Sequence, residues 1–367
     1  MWTRKRARFF RLKEAWPILP SLVLCWALLG SPARAIILFS TGDPGYNTTL
    51  PAGTLTNSGW QYQGRWGSYL GTPIAPRYFV TAKHVGGAVG DAFLHGEASY
   101  ITTASYDDPG SDLKIWRVCR DFESFAPLYT NSDEAGRGLV VFGRGTQRGP
   151  ELRVAGVLKG WQWGAADEVE RWGTNRVWGI LNGGDALGDL LTAAFDANAG
   201  PDEAHLSVGD SGGAVFIMDN STWKLAGINY SVDGPYNTNN TGRGFFAAVF
   251  DEGGLYAGGE GNWTLVRNLP IDKPSGFYST RISSRIAWIS SILMQPPPPD
   301  PAPILESSPV VEGPYAADAA AVVDVTARTI TVPADGPMRF FRLRGCTAWR
   351  ITSTRSVGED VVLTYGD

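Results

Sequence analysis

The run Leu206-Ser207-Val208-Gly209-Asp210-Ser211-Gly212-Gly213-Ala214-Val215-Phe216 sets a serine between an aspartate and two glycines, directly before an apolar stretch. Glycine lets the backbone turn tightly and lets a ligand approach it closely. It also leaves amide N–H groups free to converge on one point, where a developing oxyanion could sit. Ser211 in such a loop has the position of a nucleophile, provided that a base stands beside it. The same five residues, Gly209 to Gly213, are also acceptable turn chemistry between two strands. The rest of the chain must decide between the two readings.

Bases are scarce. The chain has three histidines, His84, His95 and His205. His84 follows the strand-like run Tyr78-Phe79-Val80, a place where histidine serves structure as well as proton transfer. Downstream, Asp112 stands immediately before Leu113-Lys114-Ile115-Trp116-Arg117-Val118. In that run Leu113 and Ile115 share one strand face and Lys114, Trp116 and Val118 the other. Asp107 and Asp108 are rival carboxylates, but they adjoin Pro109-Gly110 and read as a solvated turn.

The elements that must position these residues are short. Of 367 residues, 45 are glycine, 43% are hydrophobic and 19% are charged, which describes a globular chain with many brief strands. Residues 1–35 carry a basic start, an apolar stretch and Ala33-Arg34-Ala35, the pattern of a cleaved secretory signal. Without them 25 basic residues face 35 acidic ones, a net charge of about −10, which argues against nucleic acid or an anionic membrane as a partner. No later run is long and apolar enough to span a bilayer. Cys119 and Cys346 remain; they fall in different predicted domains, so a bridge between them is not expected.

In order, residues 36–39 read as a first strand and 60–69 as a half-buried one. Residues 161–201 read as an enlarged loop region with tryptophans 161, 163, 172 and 178, and 185–198 as the place of a short helix. Ile282, Ile286 and Ile289 recur at helical spacing. Residues 295–303 form a proline-rich linker, and strand-like runs within 304–367 predict a small β module whose partner the residues do not name.

Several motifs together resemble the chymotrypsin-like (trypsin-fold) serine peptidases. Gly71-Thr72-Pro73-Ile74-Ala75-Pro76-Arg77-Tyr78-Phe79-Val80-Thr81-Ala82-Lys83-His84 aligns without a gap with that family's element Gly-Ser-Leu-Ile-x-Pro-x-x-Val-Leu-Thr-Ala-Ala-His. Asp112 with its strand resembles Asp-Ile-Ala-Leu-Leu, and Gly209 to Gly213 the nucleophile loop. Leu225 to Tyr230 is similar to the substrate-pairing strand. Lys273-Pro274-Ser275-Gly276-Phe277-Tyr278, continuing to Trp288-Ile289, is similar to the closing strand and helix. The chain departs from the pattern at Pro73, at Lys83, at Val85 where animal members have a disulfide cysteine, and at Ser231-Val232.

The resemblance covers residues 60–292 and implies a secreted bacterial-type enzyme without the usual disulfides. The implied fold is all-β: two six-stranded antiparallel β-barrels with a C-terminal helix, occupying 36–294 with a boundary near 130–150, before the linker and the module. The implied function is a serine endopeptidase acting on protein or peptide, outside the cell or in the periplasm. His84, Asp112 and Ser211 would be the catalytic residues, in an order that subtilisin-like and α/β-hydrolase enzymes do not share. Gly209 and Ser211 would supply the oxyanion amides. Asp210 would pair with a new N-terminus at Ile36, and His205, Tyr230 and Gly276 would form the primary pocket. No metal or cofactor is implied. A catalytically silent binding protein on the same scaffold and an esterase-like hydrolase are the alternatives.

Overall fold

The computed structural model describes residues 36–296, 298–335, 338–346 and 349–366; the signal expected at 1–35 lies outside them. Six strands close into a barrel: β1 (Gly64–Trp66), β2 (Tyr69–Ala75), β3 (Tyr78–Ala82), β4 (Ala92–His95), β5 (Ala98–Asp107) and β6 (Leu113–Val118), in the spatial order β1-β2-β3-β6-β5-β4. The β3–β6 register pairs Phe79 with Trp116 and Val80 with Ile115. Alternation along each strand then sends the first pair to one face and the second to the other. Phe79 and Trp116 join Trp66, Phe93, Tyr100, Val118 and Phe122 inside the barrel. The filling is tight: the Phe79 and Phe93 rings stack at 4.0 Å, and a Cβ on Gly64 would stand 2.2 Å from Phe93.

The other face matters for the site. Val80, Ala82, Leu113 and Ile115 pack with Val140, Phe142, Ala214, Phe216, Leu225 and Ile228 in one shared core. Those partners belong to β7 (Gly138–Gly143), β13 (Ala214–Asp219) and β14 (Thr222–Val232), where β8 is Thr146–Val154, β9 Val157–Ala166, β10 Arg171–Arg176, β11 Gly179–Asn182 and β12 Asp189–Ala194. With β15 (Ala247–Val249) and β16 (Gly276–Arg281), they build the second half.

A second six-stranded barrel was expected there. The described residues instead form an open seven-stranded sheet, β10-β7-β13-β14-β16-β12-β11, beside a separate three-stranded sheet, β15-β9-β8. The physical reason is visible at Asn175 of β10. Its Nδ2 donates to Ala194 O at the end of β12, at 2.7 Å, and to Ala204 O at 3.0 Å. A side chain, not a ladder of backbone bonds, links β10 to the end of β12, the strand next to the far margin β11.

Several local expectations change. Residues 60–69 are not one strand: a 3-10 turn at Trp60–Tyr62 is followed by a hairpin that reverses at Gly67, φ 57°. Residues 161–201 are mostly strand, not loop; Leu190, Leu191 and Ala193 are buried on both faces of β12, so no alternation marks them. Within 185–198 helix is confined to one turn, Gly184–Leu187. The C-terminal helix, α1 (Ile286–Leu293), lays Ile289 and Ile292 into the shared core beside Ile282. Beyond the linker, β17 (Ile304–Ser308), β18 (Ala316–Ala317) and β21 (Phe340–Arg344) form one sheet. A second contains β19 (Val322–Asp324), β20 (Thr329–Pro333), β22 (Arg350–Val357) and β23 (Asp360–Gly366). Leu305, Ile330, Val332, Leu363 and Tyr365 fill the core of this region.

Candidate active site

The two halves contribute different groups to one place. At the end of β3 the chain enters a 3-10 turn, Lys83–Val85, that carries His84. Because β3 pairs Ala82 with Leu113, the turn lies beside Asp112. Lys83 N–H donates to Asp112 O at 2.6 Å. The Asp112 carboxylate then accepts from the His84 backbone N–H at 3.1 Å and from His84 Nδ1–H at 2.5 Å. That bond fixes the tautomer and leaves Nε2 as acceptor. Nε2 stands 2.8 Å from Ser211 Oγ, which belongs to the turn before β13 in the other half. Asp112 is buried, while the imidazole is 40% exposed toward the cleft.

The loop around Ser211 is held from below. Gly209 takes φ +96°, and a Cβ there would meet Gly145 Cα at 2.7 Å. Asp210 is buried, and its carboxylate accepts from Gly145 N–H at 2.7 Å, Ser207 N–H at 2.7 Å, Ser207 Oγ at 2.9 Å and the Ile36 amide. Burial pushes its pKa up to about 6 against those bonds. The amides of Gly209 and Ser211 have no hydrogen-bond partner among the described residues. Two free N–H groups flanking a serine hydroxyl can stabilise negative charge on an oxygen placed between them.

A cavity of about 280 Å³ opens beside Ser211, lined by Leu206, Val208, Tyr230, Val232, Trp163 and Phe246 among others. Trp163 and Phe246 stack at 4.7 Å, and Tyr230 sets its ring edge toward His84 at 5.9 Å. Of the three residues assigned to the primary pocket, the structure brings Tyr230 there. His205 is fully buried behind it, with Nδ1 near Leu206 O at 2.7 Å and Nε2 near Ser275 Oγ at 3.2 Å. Desolvation takes its pKa down to about 4, so it stands neutral. Gly276 borders a different cavity, with Trp178 and Asp233, and its amide donates to Asp233 at 2.7 Å.

Sequence reasoning missed the residues that brace these groups. Lys83 Nζ donates to Asp108 O at 3.0 Å and Ser111 O at 2.7 Å, tying down the loop before Asp112. Asp108 is not in a solvated turn. It is fully buried, paired with Arg285, and accepts from Ser111 Oγ at 2.7 Å and Gly110 N–H at 2.9 Å. The Pro109-Gly110 dipeptide gave no sign that an arginine 177 residues away would cover it. Asn229 is buried under the serine loop, its Nδ2 donating to Phe142 O at 2.8 Å and Asp210 O at 3.1 Å. Its Oδ1 accepts from Ser279 Oγ at 3.2 Å. The one available signal was an amide side chain directly after the apolar run Leu225-Ala226-Gly227-Ile228.

No family model matches the chain. Over 175 residues it is 29% identical to the serine protease SepA autotransporter of Shigella flexneri, a match covering 43% of this chain and 12% of that protein. The chain thus spans about an eighth of the length of the curated relative it matches. The chain also matches solved structures. The passenger domain of plasmid encoded toxin, an autotransporter enterotoxin from enteroaggregative Escherichia coli, shows 14% identity and a TM-score of 0.35, over 65% of this chain and 22% of that one. An inactive form of Rv3671c from M. tuberculosis H37Rv shows 16% identity and a TM-score of 0.37, over 68% of this chain and 98% of that one. The structural likenesses are too loose to argue from; the sequence likeness is to a serine protease.

Proposed function

We propose that this chain is a secreted serine endopeptidase of the chymotrypsin-like class. The observation that carries the reading is the unbroken line of contacts from Asp112 through His84 to Ser211, beside two unpartnered amides. His84 Nε2 takes the hydroxyl proton as Ser211 Oγ attacks the peptide carbonyl. Asp112 holds the imidazole in place and stabilises the cation that forms. The carbonyl oxygen, now negative, accepts from the Gly209 and Ser211 amides. His84 returns the proton to the leaving amine, and water, activated by the same imidazole, hydrolyses the acyl-enzyme.

The cavity beside Ser211 is apolar on most of its surface, and the one carboxylate bordering it, Asp210, is turned toward its own donors. An uncharged apolar or aromatic side chain fits this lining better than lysine, arginine or an acid. His205, neutral and sealed from the cavity, is not expected to select an acidic side chain.

Asp210 and Ile36 form the activation element. Cleavage after Ala35 converts the Ile36 nitrogen from an amide into an ammonium already within reach of the buried carboxylate. Sequencing the N-terminus of active protein tests this; a start well beyond residue 36 rejects it.

The reading as a whole is tested with a serine-directed phosphonate and a peptide library. Covalent labelling of Ser211 that vanishes in Ser211→Ala, with cleavage of peptides, supports it. Absence of labelling would leave the silent binding scaffold, and ester turnover without peptide cleavage would leave the esterase.

A further inference from the structure

Two thiols that the sequence separates into different regions meet in the fold. Cys119 follows β6 directly, is buried, and donates its amide to Ile101 O at 3.0 Å on the barrel. Cys346 lies just beyond β21 in the C-terminal region. Their side chains are near enough to act on one another: Cys119 is among the groups that push the Cys346 thiol up. The meeting is not a single touch. In the linker Asp300 pairs with the buried Arg117 at 2.8 Å and with Arg77 at 3.6 Å. From the far side of Cys346, Arg344 donates to Gly90 O of the barrel at 3.0 Å. These contacts fix the two backbones that carry the thiols, so the pair is held in register by ion pairs and hydrogen bonds independent of sulfur.

Three chemistries suit paired thiols: metal binding, thiolate catalysis and a disulfide. Among the described residues no group of three or more histidine, cysteine or acidic side chains is placed to share a metal ion. Burial and the neighbouring Cys119 and Asp300 push the Cys346 thiol up to about 12, the reverse of what a catalytic or metal-binding thiolate needs.

We propose that Cys119 and Cys346 form a disulfide that fastens the C-terminal region to the first barrel. The oxidant is a disulfide donor of the exported environment, either a small-molecule disulfide or an oxidised dithiol protein. Cys346, the more exposed of the two, loses its proton and attacks one donor sulfur, which breaks the donor's S–S bond and forms a mixed disulfide. Cys119 then attacks the Cys346 sulfur and releases the second donor thiol. One S–S bond has formed and one has broken, and the two protons end on the donor. A thiol that burial pushes up is a poor leaving group, so external thiols open the finished bridge slowly.

The test uses the full mature chain, reduced and folded, then exposed to a glutathione buffer and quenched with an alkylating agent in denaturant. The expected product is a loss of two hydrogens in mass and one cross-linked peptide pair joining Cys119 to Cys346. It should form at least tenfold faster in the folded chain than in urea, because only the fold brings the thiols together. Cleaving the linker should then release the C-terminal piece with reductant and not without it. Full alkylation of both cysteines, glutathione adducts on each, or equal rates folded and unfolded would overturn the proposal. Ser211→Ala should give the same cross-link, so this outcome is independent of whether the chain is a peptidase.

Discussion

Two forms of the chain, one beginning at Ile36 and one extended by a few uncharged residues, differ by a single ammonium against Asp210. In the extended form Asp210 meets the Gly145, Ser207 and Ile36 amides and the Ser207 hydroxyl, and it titrates at about 6 rather than its ordinary 3.8. A carboxyl that is harder to ionise when folded stabilises the fold fully below pH 3.8. That contribution is lost as the pH rises through 6, and the loss at neutral pH is about 3 kcal/mol. In the form beginning at Ile36 the ammonium holds the carboxylate ionised and brings its pKa below the ordinary value. The sign then reverses: stability is gained as the pH rises through the acid range and kept until the ammonium itself deprotonates, above about 8. At pH 7 the Ile36 form should melt roughly 5 °C or more above the extended one, and the gap should close toward pH 4. Thermal melts across pH, paired with the rate of phosphonate labelling at Ser211, make the measurement. If the two forms melt alike at every pH and label at equal rates, Asp210 is a structural acid and the activation argument fails.

Other outcomes follow from the same geometry. Asp112→Asn should lower kcat roughly ten-thousand-fold by releasing the wrong tautomer of His84, with little change in urea midpoint. Ser211→Ala should remove roughly a million-fold of activity and all labelling. Removing one partner of the buried Asp108–Arg285 pair should cost about 3–5 kcal/mol of stability by urea titration. The Asp108→Asn, Arg285→Gln double variant should cost less than the two single changes summed, and additivity would mean the pair is not coupled. Filling the cavity with Val232→Trp should raise KM for peptides with a large aromatic residue before the cut and spare those with alanine there, in a peptide-library assay.

Much of the site was legible because its residues sit next to elements with strong local signals. His84 follows a strand, Asp112 precedes one, and Ser211 lies in a glycine-rich turn before another, so each could be placed from a few neighbours. The half-barrel register that unites them was not written in any one segment. Asp108 shows the limit: its own neighbourhood says turn, and only the distant Arg285 makes it a buried ion. β12 shows another, since a strand covered on both faces carries no alternation to read. The open margin of the second sheet was hidden for a related reason. Whether seven strands close depends on the register across the gap at Asn175, a long-range quantity to which local patterning is blind.

The base and its orienting acid ride on one half of the molecule and the nucleophile on the other, with an apolar seam between. A slip of an ångström or two along that seam would part Nε2 from Oγ while leaving every strand intact. On the proposed peptidase reading, activity would therefore vanish under mild stress well before secondary structure does. On that reading a nascent chain, whose second half is still unassembled, carries three harmless side chains instead of an armed cutter.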